Sequence, residues 1–393
     1  MAYIGKVPTA APLTSSDVAD GIISTAKIAD NAVTEAKTAW NDVPFRNLVT
    51  NGDMQICQRG TSIASIATNT YTLDRWTTEG DDCTMTVTQD TSVPTAEGFT
   101  TSLKMDVTSA NASLDAGDNV VLSQRFEGQM LQHLKKGTAN AESLTCSFWV
   151  KNSITGTFIV MLQDDDNTRH ISKSYTISSA DTWEQKEITF AGDTTGAFGN
   201  DKNRSLRLQF IIDAGTDLTS GTLATSWASN TTANRATGIT TGWSTSTSNN
   251  FWLTGVQMEI GTSKSNFEFL PFDVNLKRCR RYCLMLGDAL GGADYDTFLN
   301  GTIGHYYNTT DFYPNFSYPV VMRGTPDVSF STTSSGFGTV YSDGSGRANT
   351  SVGTNATENT NINFRVSTGT ATAGDSGAFN FTSGDYVLLS AEI

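Results

Sequence analysis

Three histidines, two runs of adjacent aspartates, five cysteines and one cationic cluster are the groups of this chain best equipped for chemistry. His133, His170 and His305 stand far apart in unrelated contexts. No Gly-x-Ser-x-Gly elbow, phosphate-binding loop or His-Glu-x-x-His pair accompanies them. Paired carboxylates can hydrolyse glycosidic bonds, so Asp81 with Asp82, and Asp164 with Asp165 and Asp166, are candidates. The plainer expectation is a solvated turn at a strand end. Calcium is the alternative, because hard oxygen ligands suit it. Cys57, Cys83, Cys146, Cys279 and Cys283 are odd in number and widely spaced, which makes a poor disulfide framework and predicts free thiols. Cys279, Cys283 and His305 could contribute to a zinc site, but a fourth ligand is not evident and helix packing is the favoured reading. No cofactor, metal or catalytic residue is expected.

The cationic cluster lies in "LKRCRRYCLML", with Lys277, Arg278, Arg280 and Arg281 around Cys279. On a helical wheel Leu276, Cys279, Tyr282, Cys283 and Leu286 fall on one side and the cations on the other. This predicts an amphipathic helix of about three turns, with Tyr282 buried. Arg278 and Arg281, three apart, would reach one acidic surface. The basic side could instead meet phosphate groups of nucleic acid or lipopolysaccharide, but its place between two β regions favours an inter-domain joint.

Aromatic side chains are the remaining candidates, because a flat ring covers the apolar face of a pyranose. Trp76 in "LDRWT" and Trp149 in "SFWVKN" sit in strand patterns and are expected to be structural. Trp227, Trp243, Tyr306, Tyr307, Tyr313 and Tyr318 are the possible glycan-binding residues, each weighed against simple local packing.

These groups are positioned by strands. "NLVTNGDMQICQRG", "TMTVTQD", "SLKMDVT", "NVVLSQRFEG", "SLTCSFWVKN", "TFIVMLQD", "HISKSYTIS", "WEQKEITFAG", "LRLQFIID" and "FWLTGVQMEIG" follow one another with turn signals between them. In "LRLQFII", Leu206, Leu208, Phe210 and Ile212 point one way, and Arg207, Gln209 and Ile211 the other. Strands at such spacing without intervening helices predict a sandwich or jelly roll. A Thr/Ser/Asn/Gly-rich stretch, residues 216–250, reads as a surface excursion carrying Trp227 and Trp243. Short Gly/Ser/Thr-rich strands follow, ending in "GDYVLLSAEI". The expected fold is all-β: an attachment segment at 1–44, a jelly-roll β-sandwich at 45–272, a connecting helix at 273–287 and a small distal β domain at 288–393. Within the first segment "VADGIISTAK" is followed by "IADNAVTEAK". Units this short must stack on neighbours or on other chains.

The net charge of -14 argues against nucleic-acid binding, which needs a positive field. No apolar run approaches the ~20 residues of a membrane helix, so no membrane insertion is expected. The N-terminus lacks a signal-peptide pattern, which places folding in a cytoplasm. With 20 Phe, 11 Tyr and 7 Trp the chain can fill real cores.

"NLVTNGDMQICQRG", "YTLDRW", "QMEIG", "NFEFLPFDVNLKRCRRYC" and "YPVVMRGTPDVSFS" resemble a module of bacteriophage tail fibres and related appendages. There a jelly roll resembling carbohydrate-binding modules precedes a Cys-Arg-Tyr-Tyr-like helix and a small β domain. The resemblance covers roughly residues 45–393 and departs at Cys283, where the family more often has Tyr. The N-terminal stretch is similar to virion-attachment ends of phage fibres. The resemblance implies a non-enzymatic structural protein of a virion, assembled in the host cytoplasm. It implies a homotrimer, mounted on other virion proteins through its N-terminus and recognising a host-surface glycan by multivalent adhesion. It supplies no sugar-binding residues. The rival readings are a head fibre or capsid decoration protein, a glycan depolymerase, and a free bacterial sugar-binding protein.

Overall fold

The computed structural model of the chain describes residues 45–393, apart from 67–68, 81–82, 240–241, 288–300, 334, 370 and 383. The N-terminal repeat and the Asp81–Asp82 pair lie outside the described residues. Strand alternation organises everything else, and the fold is nearly all β, as expected. Leu206, Leu208, Phe210 and Ile212 enter the main core, while Ile211 joins a separate cluster on the opposite face. That core lies between two six-stranded sheets. In spatial order the first holds Ser62–Ile66, Thr84–Asp90, Ser102–Ser109, Asn250–Ile260, Leu144–Asn152 and Glu184–Phe190. The second holds Ala228–Ser229, Arg169–Ile177, Gly156–Asp164, Arg204–Ala214, Asn119–Glu127 and Thr77–Glu79. The order is not the chain order, so strands cross between layers as a jelly-roll sandwich requires.

"NLVTNGDMQICQRG" is not a strand. Asn51, at a φ of 57°, donates its side-chain amide to the carbonyls of Ile56 (2.8 Å) and Asp74 (3.0 Å). Its Oδ1 accepts from the Ile56 N–H at 2.9 Å. One side chain thus does what a neighbouring strand would do, and the segment stays buried without a ladder. The excursion also does more than cover surface. Leu218 and Ala236 pack over Val121, Ile159, Met161 and Ile211 on the outer face of the second sheet.

Two further sheets follow. Three strands run in the order Cys283–Gly287, Tyr386–Ser390, Asp327–Phe330. Seven run Ser345–Ala348, Thr339–Ser342, Ser376–Asn380, Thr302–Tyr306, Asp311–Ser317, Asn361–Ser367, Ser351–Thr357. Their core is rich in aromatic rings, with Tyr306, Phe312, Phe316, Phe337, Phe364, Phe379 and Phe381 buried together among aliphatic residues such as Leu284, Val366 and Leu389. Residues Arg46–Ile393, both cores included, form one compact unit.

The connecting helix is shorter than expected. It spans Phe272–Arg280, and Cys283–Gly287 is a strand paired residue by residue, antiparallel, with Tyr386–Ser390. All five residues of that strand are buried. A short continuous apolar run fits either a buried strand or a helix face, and here the offered partner strand decided it. The division between the cores falls in this stretch: Leu276 and Cys279 belong to the first, Leu284 and Leu286 to the second.

Candidate functional site

The joint residues meet the jelly roll as charged and aromatic partners. The Arg281 guanidinium donates from Nε and Nη2 to the two carboxylate oxygens of Glu127, at 2.8 and 2.7 Å. The Tyr282 hydroxyl donates to the same carboxylate, and the Arg75 guanidinium lies over the Tyr282 ring, 3.5 Å from its centroid. Glu127 is fully buried at the end of its strand. Burial alone would raise its carboxyl, but the donors Arg281, Tyr282 and Gln129 hold it below the usual range. Burial pushes the Tyr282 hydroxyl up to about 12, against the pull of Arg75.

Arg278 behaves differently from its neighbour. Its Nη2 donates to the backbone carbonyl of Asn47 at 3.1 Å, so the two arginines do not share one acidic surface. On the other side of the joint Arg323 donates to the carbonyls of Lys202 (3.0 Å), Ala391 (2.6 Å) and Glu392 (2.9 Å). Glu392 also pairs with Arg59 and Arg75. The thiols of Cys279 and Cys283 are free and fully buried, and burial pushes both well up. Among the described residues no group of three His, Cys, Asp or Glu side chains comes together for a metal.

The aspartate run ends a strand and enters a turn, as adjacency suggested, with Asp166 exposed, but its first member is not solvated. Asp164 is fully buried and pairs with Lys136 at 2.5 Å. Asp165 takes Arg207 at 2.8 Å and Arg204 at 2.7 Å, and Asp166 accepts the Gly199 N–H at 2.9 Å. Asp165 thus ties the turn to the strand Arg204–Ala214, and Asp166 holds the loop at Gly199.

The six aromatic candidates divide sharply. Trp243 is fully buried in the jelly-roll core, and Tyr306 is fully buried in the distal core with its hydroxyl on Thr368 at 3.0 Å. Neither can reach a ligand. Trp227 packs against the first core, donates its indole N–H to Ala191 O at 2.7 Å and sits beside Lys136. The cleft next to it measures about 20 Å³, room for about one water and not for a sugar. Tyr318 packs against the distal core, and burial raises its hydroxyl.

Tyr307 and Tyr313 do come together, on the outer face of the seven-stranded sheet. Their rings meet edge to face, centroids 5.9 Å apart at 86°. Tyr313 is opposite His305 in register, and Tyr307, 73% exposed, follows directly after that strand. With Asn363 these residues line a shallow depression of about 390 Å³. The local pattern explains the placement. In "DFYPNFS" Phe312, Pro314 and Phe316 are buried, so Tyr313 must face outward. Gly304 beside it is required by close approach: a Cβ there would lie 2.3 Å from Tyr313 O. Perpendicular rings give two walls, while imidazole and amide supply hydrogen-bonding groups.

From the sequence His305 is weighed as a catalytic or zinc-binding group, and Asn363 is passed over. Alternation in "TIGHY" and "NINFRVS" carried both. Glu127, 154 residues from Arg281, left no such signal.

No family model matches the chain, and no curated protein matches it. Among solved structures, it is similar to the enzymatically active domain of bacteriophage CBA120 tailspike protein 4, with 16% identity and a TM-score of 0.29. That match covers 57% of this chain and 23% of the tailspike chain. A family 11 carbohydrate-binding module from Clostridium thermocellum, in complex with a β-1,3-1,4-mixed-linked tetrasaccharide, matches at 11% identity and a TM-score of 0.27, over 52% of this chain and 97% of that one. A putative sugar binding protein from Bacteroides thetaiotaomicron matches at 11% identity and a TM-score of 0.28, over 55% and 100%.

Proposed function

We propose that this chain is a non-enzymatic glycan-recognition protein of a bacteriophage virion, a tail fibre that holds a host surface through many weak contacts. The observation that carries this reading is the aromatic depression on the distal sheet. A tyrosine face can stack on the apolar side of a sugar ring, and His305 and Asn363 can hydrogen-bond to ring hydroxyls. The depression is open and shallow, which suits reversible contact. A weak single site gains avidity when several copies act together. Homotrimer formation, mounting through residues 1–44 and assembly in the host cytoplasm belong to the same reading. They rest on the sequence resemblance and on the short repeat.

The test is retention of the purified chain on bacterial surface polysaccharides, with reducing ends measured in parallel. Wild type should be retained and release no reducing ends. The double variant Tyr307→Ala/Tyr313→Ala should be lost from the matrix while keeping its fold. Undiminished retention of that variant overturns the assignment of the site. Release of reducing ends, abolished by Asp165→Asn, would make the protein a depolymerase.

A further inference from the structure

We infer that the depression is one end of an extended track, whose ligand is an internal stretch of a neutral oligosaccharide chain. The inference rests on reading the depression as a sugar site and names the class of sugar. Its basis is the row of outward residues beside the depression. Tyr341 pairs with Gly346 on one side and Ala378 on the other, and Ala378 pairs with Ile303. Ile303 is 75% exposed and Tyr341 50% exposed. The next outward residue on the strand of Ile303 is His305, which pairs with Ser376 and Tyr313. The apolar row therefore adjoins the depression without a break.

The track's width follows from the sheet. From Tyr341 to Tyr313 it crosses four neighbouring strands, roughly 14 Å at the usual spacing. Its floor is low, because Ala378 and Ser376 lie between the Tyr341 ring and the Tyr307–Tyr313 corner. Tyr341 is laid toward Gly346, where an added Cβ would come within 3.0 Å of its ring. Contiguous apolar surface left open on a soluble protein is a feature of ligand-binding grooves.

Charge selects the ligand. In a chain of net charge -14, the outward charges beside the depression form an opposed pair. Arg365, outward on the strand beside Tyr313, acts on Asp311, whose carboxyl also accepts from Ser367 and is held below the usual range. The remaining outward groups are rings, amides and hydroxyls, among them Asn315, Asn363 and Ser376. Such a surface offers no net charge to a polyanion, but stacking and hydrogen bonds to a neutral sugar chain.

The experiment is calorimetric titration of the full chain with neutral and uronate-containing oligosaccharides, graded from disaccharide to octasaccharide, the members first chosen by retention on a broad glycan array. Affinity for a neutral series should rise by about tenfold or more with length and change little with salt. Tyr341→Ala and Ile303→Ser should bring long chains down to disaccharide affinity, while Tyr313→Ala should weaken every length. Affinity independent of length, or salt-sensitive preference for uronates, overturns the inference and leaves the sugar site standing. A change in mass by light scattering in Tyr341→Ala, with sugar binding intact, would make the row a contact between copies and overturn it too. Retention of nothing on the array would overturn the sugar reading itself and this inference with it.

Discussion

The two cores of this molecule are filled by different means. Between the six-stranded sheets the filling is mainly aliphatic and sulfur-containing, with Leu103, Met105, Val150, Leu162, Leu208 and Met258 around a few large rings such as Trp76 and Phe210. Between the three- and seven-stranded sheets rings make up a larger share: Phe316 stacks on Phe364 at 5.1 Å, and Phe379 meets Phe381 edge to face at 5.0 Å. A small region has few inward positions, so each must supply much volume, and phenylalanine supplies it without a polar atom to satisfy. The comparison teaches that aromatic abundance does not locate a binding face in such a region. What separates a packing ring from an open one is the phase of alternation, which sends Phe312 inward and Tyr313 outward.

The sharpest way to break the comparison is to remove one ring. Phe364→Ala should cost about 3–5 kcal/mol, because its ring contacts include Phe316, Phe330, Phe337 and Phe379. Denaturant melts monitored separately in each region would check it. Loss confined to the distal region would show that the cores melt separately. A coincident shift would show that the joint couples them.

The joint itself comes next. Tyr282→Ala should cost on the order of 3 kcal/mol through lost area and a cavity. Arg281→Met should cost about 2–3 kcal/mol, because the fully buried Glu127 loses its cation, with some relief since Arg281 is partly exposed. Adding Glu127→Leu should restore much of the Arg281→Met loss, and a double-mutant cycle would show the recovery. Additive losses would mean that the pair does not act as one.

A third, smaller effect depends on pH. The folded-state carboxyl of Glu127 lies below its unfolded value. Its contribution is therefore complete above the unfolded value, near 4.5, and is lost as pH falls through the lower folded one. Asp74 works in the opposite sense, because burial raises its carboxyl and its contribution declines as pH rises. Glu127→Gln should remove its own share of the acid-labile stability and leave the shares of Asp193 and Asp311, whose carboxyls are also held low. An unchanged acid limb in that variant would refute the assignment. The smallest stability effect should be at the face: Tyr307→Ala and Tyr313→Ala should each shift stability by about 0.5 kcal/mol or less, while glycan retention collapses.

Legibility followed the range of the interactions. Strands such as Thr84–Asp90 and Leu144–Asn152 were plain, because alternation and turn residues are local. The burial of Tyr282 was legible from the wheel, although its second half is no helix. The fate of Cys283–Gly287 was not, since its partner strand lies about a hundred residues on. Trp243 looked like a loop residue because a low-complexity stretch surrounds it, yet a loop can lend one large side chain to a core. Asn51 shows a further limit, since a polar residue in a strand-like run replaced the ladder with its own amide.

The strand that leaves the joint and the strand that returns to it are immediate neighbours. Cys283 pairs with Ser390, and the Ala391 N–H donates to Tyr282 O at 2.7 Å. The distal region is thus a cassette plugged in by two adjacent pins, with its entry and exit at one socket. A different tip could be exchanged there by recombination without re-registering any strand of the sandwich. The socket residues, Glu127, Arg281, Tyr282 and Arg323, would form the common fitting, and the outward row from Tyr341 to Arg365 takes no part in it.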